Sequence, residues 1–149
     1  MWASCDAGHT HWGRHGAAGV LVRHAPETGP ARYLLQHRAR GVHHGGTWGV
    51  PGGAVERGET PEQAAWREAW EELGLRPDGL RPVGSHLDDH GGWSYHTLVV
   101  DSPTAFPARG LNFETGPDGC RWFTAHEVGA VTLHPGLAAA WPHLMRLAP

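Results

Sequence analysis

The sequence predicts an α/β/α sandwich with a mixed β-sheet held between helices. Three features point there: short apolar runs rich in β-forming residues, one strongly marked helix between them, and a closing apolar segment able to cover a second sheet face. The 149 residues suit a single domain with a sizeable core, so one domain over residues 1–149 is expected.

Ala17 to Arg23 and Arg32 to His37 are apolar runs separated by the turn-forming Pro26-Glu27-Thr28-Gly29-Pro30, which predicts a two-stranded hairpin. Gly41 to Gly53 follows, with Gly45-Gly46 and Trp48-Gly49-Val50-Pro51-Gly52-Gly53. That glycine density excludes a regular helix and predicts a shaped loop with at most a short strand. Thr60 and Gln63 form a capping box and Pro61 takes the first helical position. Gly74 supplies a left-handed cap and Pro77 bars continuation, so the helix runs from Pro61 to Leu73. Pro82 to His86, Trp93 to Val100 and Cys120 to Phe123 read as strands. Thr124 and Glu127 form a second capping box that opens a short helix, and Gly136 to Leu147 is a terminal helix that Pro142 is expected to kink or divide.

Hydrophobic residues at 40% and charged residues at 18% lie in the globular range. A net charge of −3 and a pI near 6.5 give no basic field for a polynucleotide backbone, so no nucleic acid polymer is expected as a partner. All 12 residues counted as lysine or arginine are arginine, which leaves any phosphate clamp to guanidinium groups and excludes a P-loop lysine. Cys5 and Cys120 form neither a disulfide framework nor a zinc spacing, and a reduced cytoplasmic setting is expected. Met1 to Arg14 lacks the apolar run of a secretory signal or membrane span, so neither export nor a membrane partner is expected.

At about 100° per residue, Glu68, Glu71 and Glu72 share one helix face, while Ala65, Ala69, Leu73, Trp66 and Trp70 are expected on the packed side. Each like-charge pair at this spacing costs roughly 0.2–0.5 kcal/mol. A hard divalent cation such as Mg²⁺ offsets that cost through oxygen ligands. A solvated acidic face is the alternative on the helix alone.

Gly53, five residues, Glu59, seven residues, then Arg67-Glu68-Ala69-Trp70-Glu71-Glu72-Leu73-Gly74-Leu75 resembles the Nudix box in full, spanning residues 53–75. Seven fixed identities at fixed spacing arise by chance with a probability on the order of 10⁻⁸ per start position. Only Ala69 departs, being small where the family has a bulky aliphatic residue. Tyr33 to Arg38 and Arg121-Trp122-Phe123 resemble the family's strands on either side of the box.

The resemblance implies a small MutT-like Nudix hydrolase that cleaves a phosphoanhydride bond in a nucleoside diphosphate derivative, a nucleoside triphosphate among them. It implies Mg²⁺ as cofactor, with Mn²⁺ able to substitute. It places metal ligands at Glu68, Glu71, Glu72 and the Gly52 carbonyl. Arg67 would orient Glu68 or Glu71, and Glu59, with Gly53 and Gly74, would shape the loop and helix. Glu68 is the first candidate for proton acceptor and Glu114 the second. Arg38, Trp93 and Tyr95 are candidate substrate contacts, although 8 tryptophans in the chain make packing the competing role for the indole. His43 and His44 are expected to be solvated loop residues. Family members that are dimers leave a homodimer open beside a monomer. The alternatives are an ADP-ribose or nucleotide-sugar pyrophosphatase and a nucleotide sensor without turnover. An isoprenoid diphosphate isomerase is disfavoured, because neither cysteine lies in a matching context.

Overall fold

The computed structural model describes residues 2–5, 8 and 10–149. Strands β1 (Trp2–Ser4) and β2 (Thr10–Trp12) pair as a small antiparallel hairpin. The main sheet is built from β3 (Ala17–His24), β4 (Arg32–Arg38), β5 (Trp48–Gly49), β6 (Gly52–Ala54), β7 (Arg81–Asp89), β8 (Ser94–Asp101) and β9 (Thr115–Thr124). Helix α1 (Pro61–Leu73) lies between β6 and β7, and α2 (Ala125–Val128) and α3 (Pro135–Leu147) close the chain. The strand order is β5-β4-β3-β8-β7, with β6 also on β3 and β9 also on β4. β3 and β8 run parallel and the other pairs antiparallel, so the sheet is mixed as expected.

Alternation along each strand sorts the core onto two faces. Ala18, Val20 and Val22 of β3 and Leu34 of β4 pack with Ala64, Ala65, Ala69 and Leu73 of α1. Leu21 of β3 and Tyr33 and Leu35 of β4 join Leu137, Ala140 and Leu144 of α3. One helix covers each face, which is the sandwich read from the sequence.

Several local expectations change. β3 and β4 pair only at Arg23↔Tyr33 and His24↔Arg32, beside their turn. Beyond it β6 takes the edge of β3 and β9 pairs with β4, so the hairpin opens to admit them. The glycine-rich segment holds two short strands, β5 and β6, rather than one. β7 is longer than expected at both ends. β9 begins at Thr115 and carries a bulge: Gln36 faces Cys120, yet Arg38 faces Thr115. Gly116-Pro117-Asp118-Gly119 has the composition of a turn, which hides the strand's first half. Pro142 does not divide α3. It sits on the exposed side, where the carbonyl left without a donor can tilt toward water.

Candidate active site

Helix α1 starts where the Thr60 hydroxyl accepts from the Gln63 amide at 3.1 Å and the Gln63 side chain accepts from the Thr60 amide at 2.9 Å. It ends at Gly74, whose φ of 68° is the left-handed conformation that glycine adopts without strain. The packed face carries Ala65, Ala69 and Leu73 as expected, with Trp66 partly buried against it, and departs from expectation at Trp70 and Glu72. Ala64, Ala65, Ala69 and Leu73 are buried together with Glu72, whereas Trp70 is 48% exposed beneath the Arg76 guanidinium at 4.4 Å. Small alanines let the helix approach β3 closely, and a bulky indole on that face would hold it off.

That packing drives a carboxylate into the interior. Glu72 is 1% exposed, and its oxygens accept from the Gly52 amide at 2.9 Å and from the Gln36 Nε2 at 3.3 Å. Glu68 lies one turn earlier and accepts from Arg67 at 2.9 Å. A methyl group on Gly53 would stand 2.6 Å from the Glu68 carboxylate, so the bare glycine leaves the room that Glu68 occupies. Glu114, from the loop before β9, completes the group: one oxygen from each of Glu68, Glu72 and Glu114 lies within 4.8 Å of the others. That loop is tied down by the Leu111 amide donating to the Glu72 carbonyl and the Ala39 amide donating to the Glu114 carbonyl, both at 2.8 Å. Glu71 is not in this group; its side chain is half exposed and stands 3.5 Å from Arg67.

Arg67 braces the site from the side. Its guanidinium donates to both Glu59 oxygens at 2.8 and 3.0 Å, to the Ala54 carbonyl at 3.0 Å and to Glu68. Hydrogen bonding from Arg67 holds Glu59 below the usual carboxylate range. The inner carboxylates behave in the opposite way. Burial raises the Glu68 pKa despite Arg67, and burial together with Glu114 raises that of Glu72. Glu72 receives its hydrogen bonds from neutral groups, Gln36 and Gly52. A buried carboxylate so placed needs a proton or a cation. The set of hard, closely spaced oxygens suits a divalent cation of the Mg²⁺ type.

The other sequence candidates lie around this centre. The Tyr95 hydroxyl points inward against the backbone of Gly19 and Gly52, where an added methyl at either glycine would collide with it, and burial raises its pKa. Arg38 donates twice to the His43 carbonyl, at 3.0 and 2.7 Å. Trp93 packs near His90 and Tyr95 and lines a shallow cavity with Arg14, His15 and Asp89. His43 and His44 are exposed, as expected for the loop, but their rings lie 3.9 Å apart and His44 also meets His134 at 4.7 Å. Gln36 is not among the site candidates named from the sequence. The available signal was an amide continuing the apolar run Tyr33-Leu34-Leu35. Among the described residues, no helix is long and apolar enough to cross a membrane.

Comparison with known proteins adds four findings. A family model described as the NUDIX domain matches residues 13–146. A Mycobacterium tuberculosis protein named as an 8-oxo-dGTP diphosphatase is 42% identical over 158 residues, covering 99% of this chain and 69% of that protein. A MutT-like protein of Streptomyces ambofaciens is 49% identical over 135 residues, covering 85% of this chain and 79% of its own length. Among solved structures, the crystal structure of a Nudix hydrolase from M. smegmatis, RenU, has a TM-score of 0.84 at 38% identity, covering 99% of this chain and 93% of that one.

Proposed function

Because the chain belongs to the NUDIX family and is a Nudix hydrolase, we propose that it cleaves a phosphoanhydride bond of a nucleoside triphosphate with Mg²⁺ as cofactor, Mn²⁺ substituting. The observation that carries this reading is the convergence of Glu68, Glu72 and Glu114 within 4.8 Å. The name of the M. tuberculosis relative supports an oxidised purine nucleoside triphosphate such as 8-oxo-dGTP as the proposed substrate class.

Glu68, Glu72 and Glu114 would hold the cation, with the Gly52 carbonyl as a further oxygen and Glu71 available from the solvent side. The bound cation would neutralise phosphate charge and make the attacking water more acidic. The chain's residues do the rest. Glu68 accepts the water's proton: burial has raised its proton affinity, and Arg67 fixes its direction. Glu114 is the second choice for that role. Arg67 and Glu59 keep the loop at residues 54–59 against α1. Arg38 is proposed to contact phosphate, with Trp93 and Tyr95 on the base side of the site. One domain over residues 1–149 and a cytoplasmic setting complete the reading, the latter supported by the free thiols of Cys5 and Cys120. A homodimer is proposed as the assembly, to be checked by light scattering.

The test is release of phosphate and pyrophosphate from nucleoside triphosphates, 8-oxo-dGTP, ADP-ribose, nucleotide sugars and dinucleoside polyphosphates, with Mg²⁺ or EDTA. Release from a triphosphate that requires Mg²⁺ and disappears in a folded Glu72→Gln variant is the expected result. Full activity of that variant with normal Mg²⁺ dependence would overturn the metal assignment.

A further inference from the structure

Gln36 is 1% exposed on β4, directly after Tyr33, Leu34 and Leu35, all of them buried and apolar. Its Nε2 donates to Thr115 Oγ1 at 2.9 Å and to Glu72 Oε1 at 3.3 Å. Its own Oε1 is buried without a hydrogen-bond partner. An amide oxygen left in that condition has given up its water without a replacement, whereas an apolar side chain of the same shape there avoids that loss. The β4–β9 ladder does not require the amide, because it is built from backbone groups at Gln36↔Cys120 and beyond. What the amide does, and an apolar isostere cannot, is hold Glu72 and Thr115.

We propose that Gln36 is a positioning residue of the acidic centre, fixing the separation of Glu72 and Glu114. It grips one oxygen of Glu72 while the Gly52 amide grips the other. Through Thr115 it also anchors the first residue of β9, immediately after Glu114. The bulge in β9 makes this reach available, since it returns Thr115 to β4 after Cys120 has already faced Gln36. Two carboxylates delivered by different elements, α1 and the loop before β9, are thereby referred to one amide. The inference rests on the reading that the centre holds a divalent cation, for which the supporting shell of a ligand sets its orientation.

The test measures Mn²⁺ binding directly, by the electron paramagnetic resonance of free Mn²⁺, and melting temperature in EDTA. It compares the full chain with Gln36→Met, Thr115→Val and the double variant. Gln36→Met is expected to weaken Mn²⁺ binding by about tenfold or more, with a melting temperature in EDTA equal to or above that of the unmodified chain. Thr115→Val is expected to weaken binding less, and to add little to Gln36→Met in the double variant, because both act through one amide. Unchanged Mn²⁺ affinity in Gln36→Met, with a lowered melting temperature, overturns the proposal and leaves Gln36 a packing residue. If Gln36→Met fails to fold, Thr115→Val decides, and affinity equal to that of the unmodified chain overturns it. If the unmodified chain binds no Mn²⁺, the cation reading falls and takes this inference with it.

Discussion

At the scale of single residues, the site is a set of charges placed where water cannot fully screen them. Glu68 and Glu72 have raised pKa values because burial disfavours their ionised forms. In the cation-free protein the folded state therefore keeps protons that the unfolded state has released. Stability from these groups is full below the ordinary carboxylate pKa and is lost as pH rises through the raised folded values. A divalent cation replaces the protons, so the rise in melting temperature on adding Mg²⁺ is expected to be larger near pH 8 than near pH 6. A scanning-calorimetry series that shows an equal or smaller gain at the higher pH contradicts this. Gly53→Ala tests the space rather than the charge: its methyl would stand 2.6 Å from the Glu68 carboxylate. Turnover is expected to fall severalfold with little change in melting temperature, since the displaced group is a side chain and not the backbone.

At the scale of elements, the most local signals were the most legible. The Thr60–Gln63 box and Gly74 bound α1 at the residues read from the sequence, because capping depends on neighbours three or four positions away. The packed face of α1 was legible through Ala65, Ala69 and Leu73; that Trp70 stays outside and Glu72 turns in was not, because it depends on how closely the helix approaches β3. Glu114 could be named from the family resemblance outside the box, by its place shortly before the late strand, but its meeting with Glu72 depends on a bulge written in turn-like residues. Gln36 was silent because nothing in a strand's own sequence says which side chain across the sheet it will meet. Long-range ties of this sort also hold the sheet's far end. Asp101 on β8 accepts two bonds from Arg23 of β3, at 2.7 and 2.8 Å, and one from Arg81 of β7 at 2.6 Å. Arg81 is largely exposed and adds little. Asp101→Asn is expected to cost about 1–3 kcal/mol, chiefly through Arg23. Hydrogen bonding from Arg23 lowers the Asp101 pKa. Its contribution is present above the ordinary carboxylate pKa and lost as pH falls through the lowered value, so the loss in Asp101→Asn should shrink in acid denaturation curves.

For the whole molecule, the two sheet faces divide stability from chemistry. The acidic centre draws on α1 and the loop before β9, while α3 packs on the other face through Leu137, Ala140 and Leu144. Leu144→Ala, at a fully buried position, is expected to cost about 2–5 kcal/mol while leaving Mn²⁺ affinity at temperatures well below melting unchanged; a parallel loss of affinity would show that the faces are coupled. The parallel pairing of β3 with β8 governs how the molecule comes to exist. Arg23 and Asp101 are partners 78 positions apart, and every pair along these strands spans the same length of chain. Closing so long a loop demands entropy before any contact repays it, which slows folding. On the ribosome β3 must wait for β8 to emerge, and Glu114 emerges later still. The helix can form early, but the centre it serves assembles among the last parts of the chain.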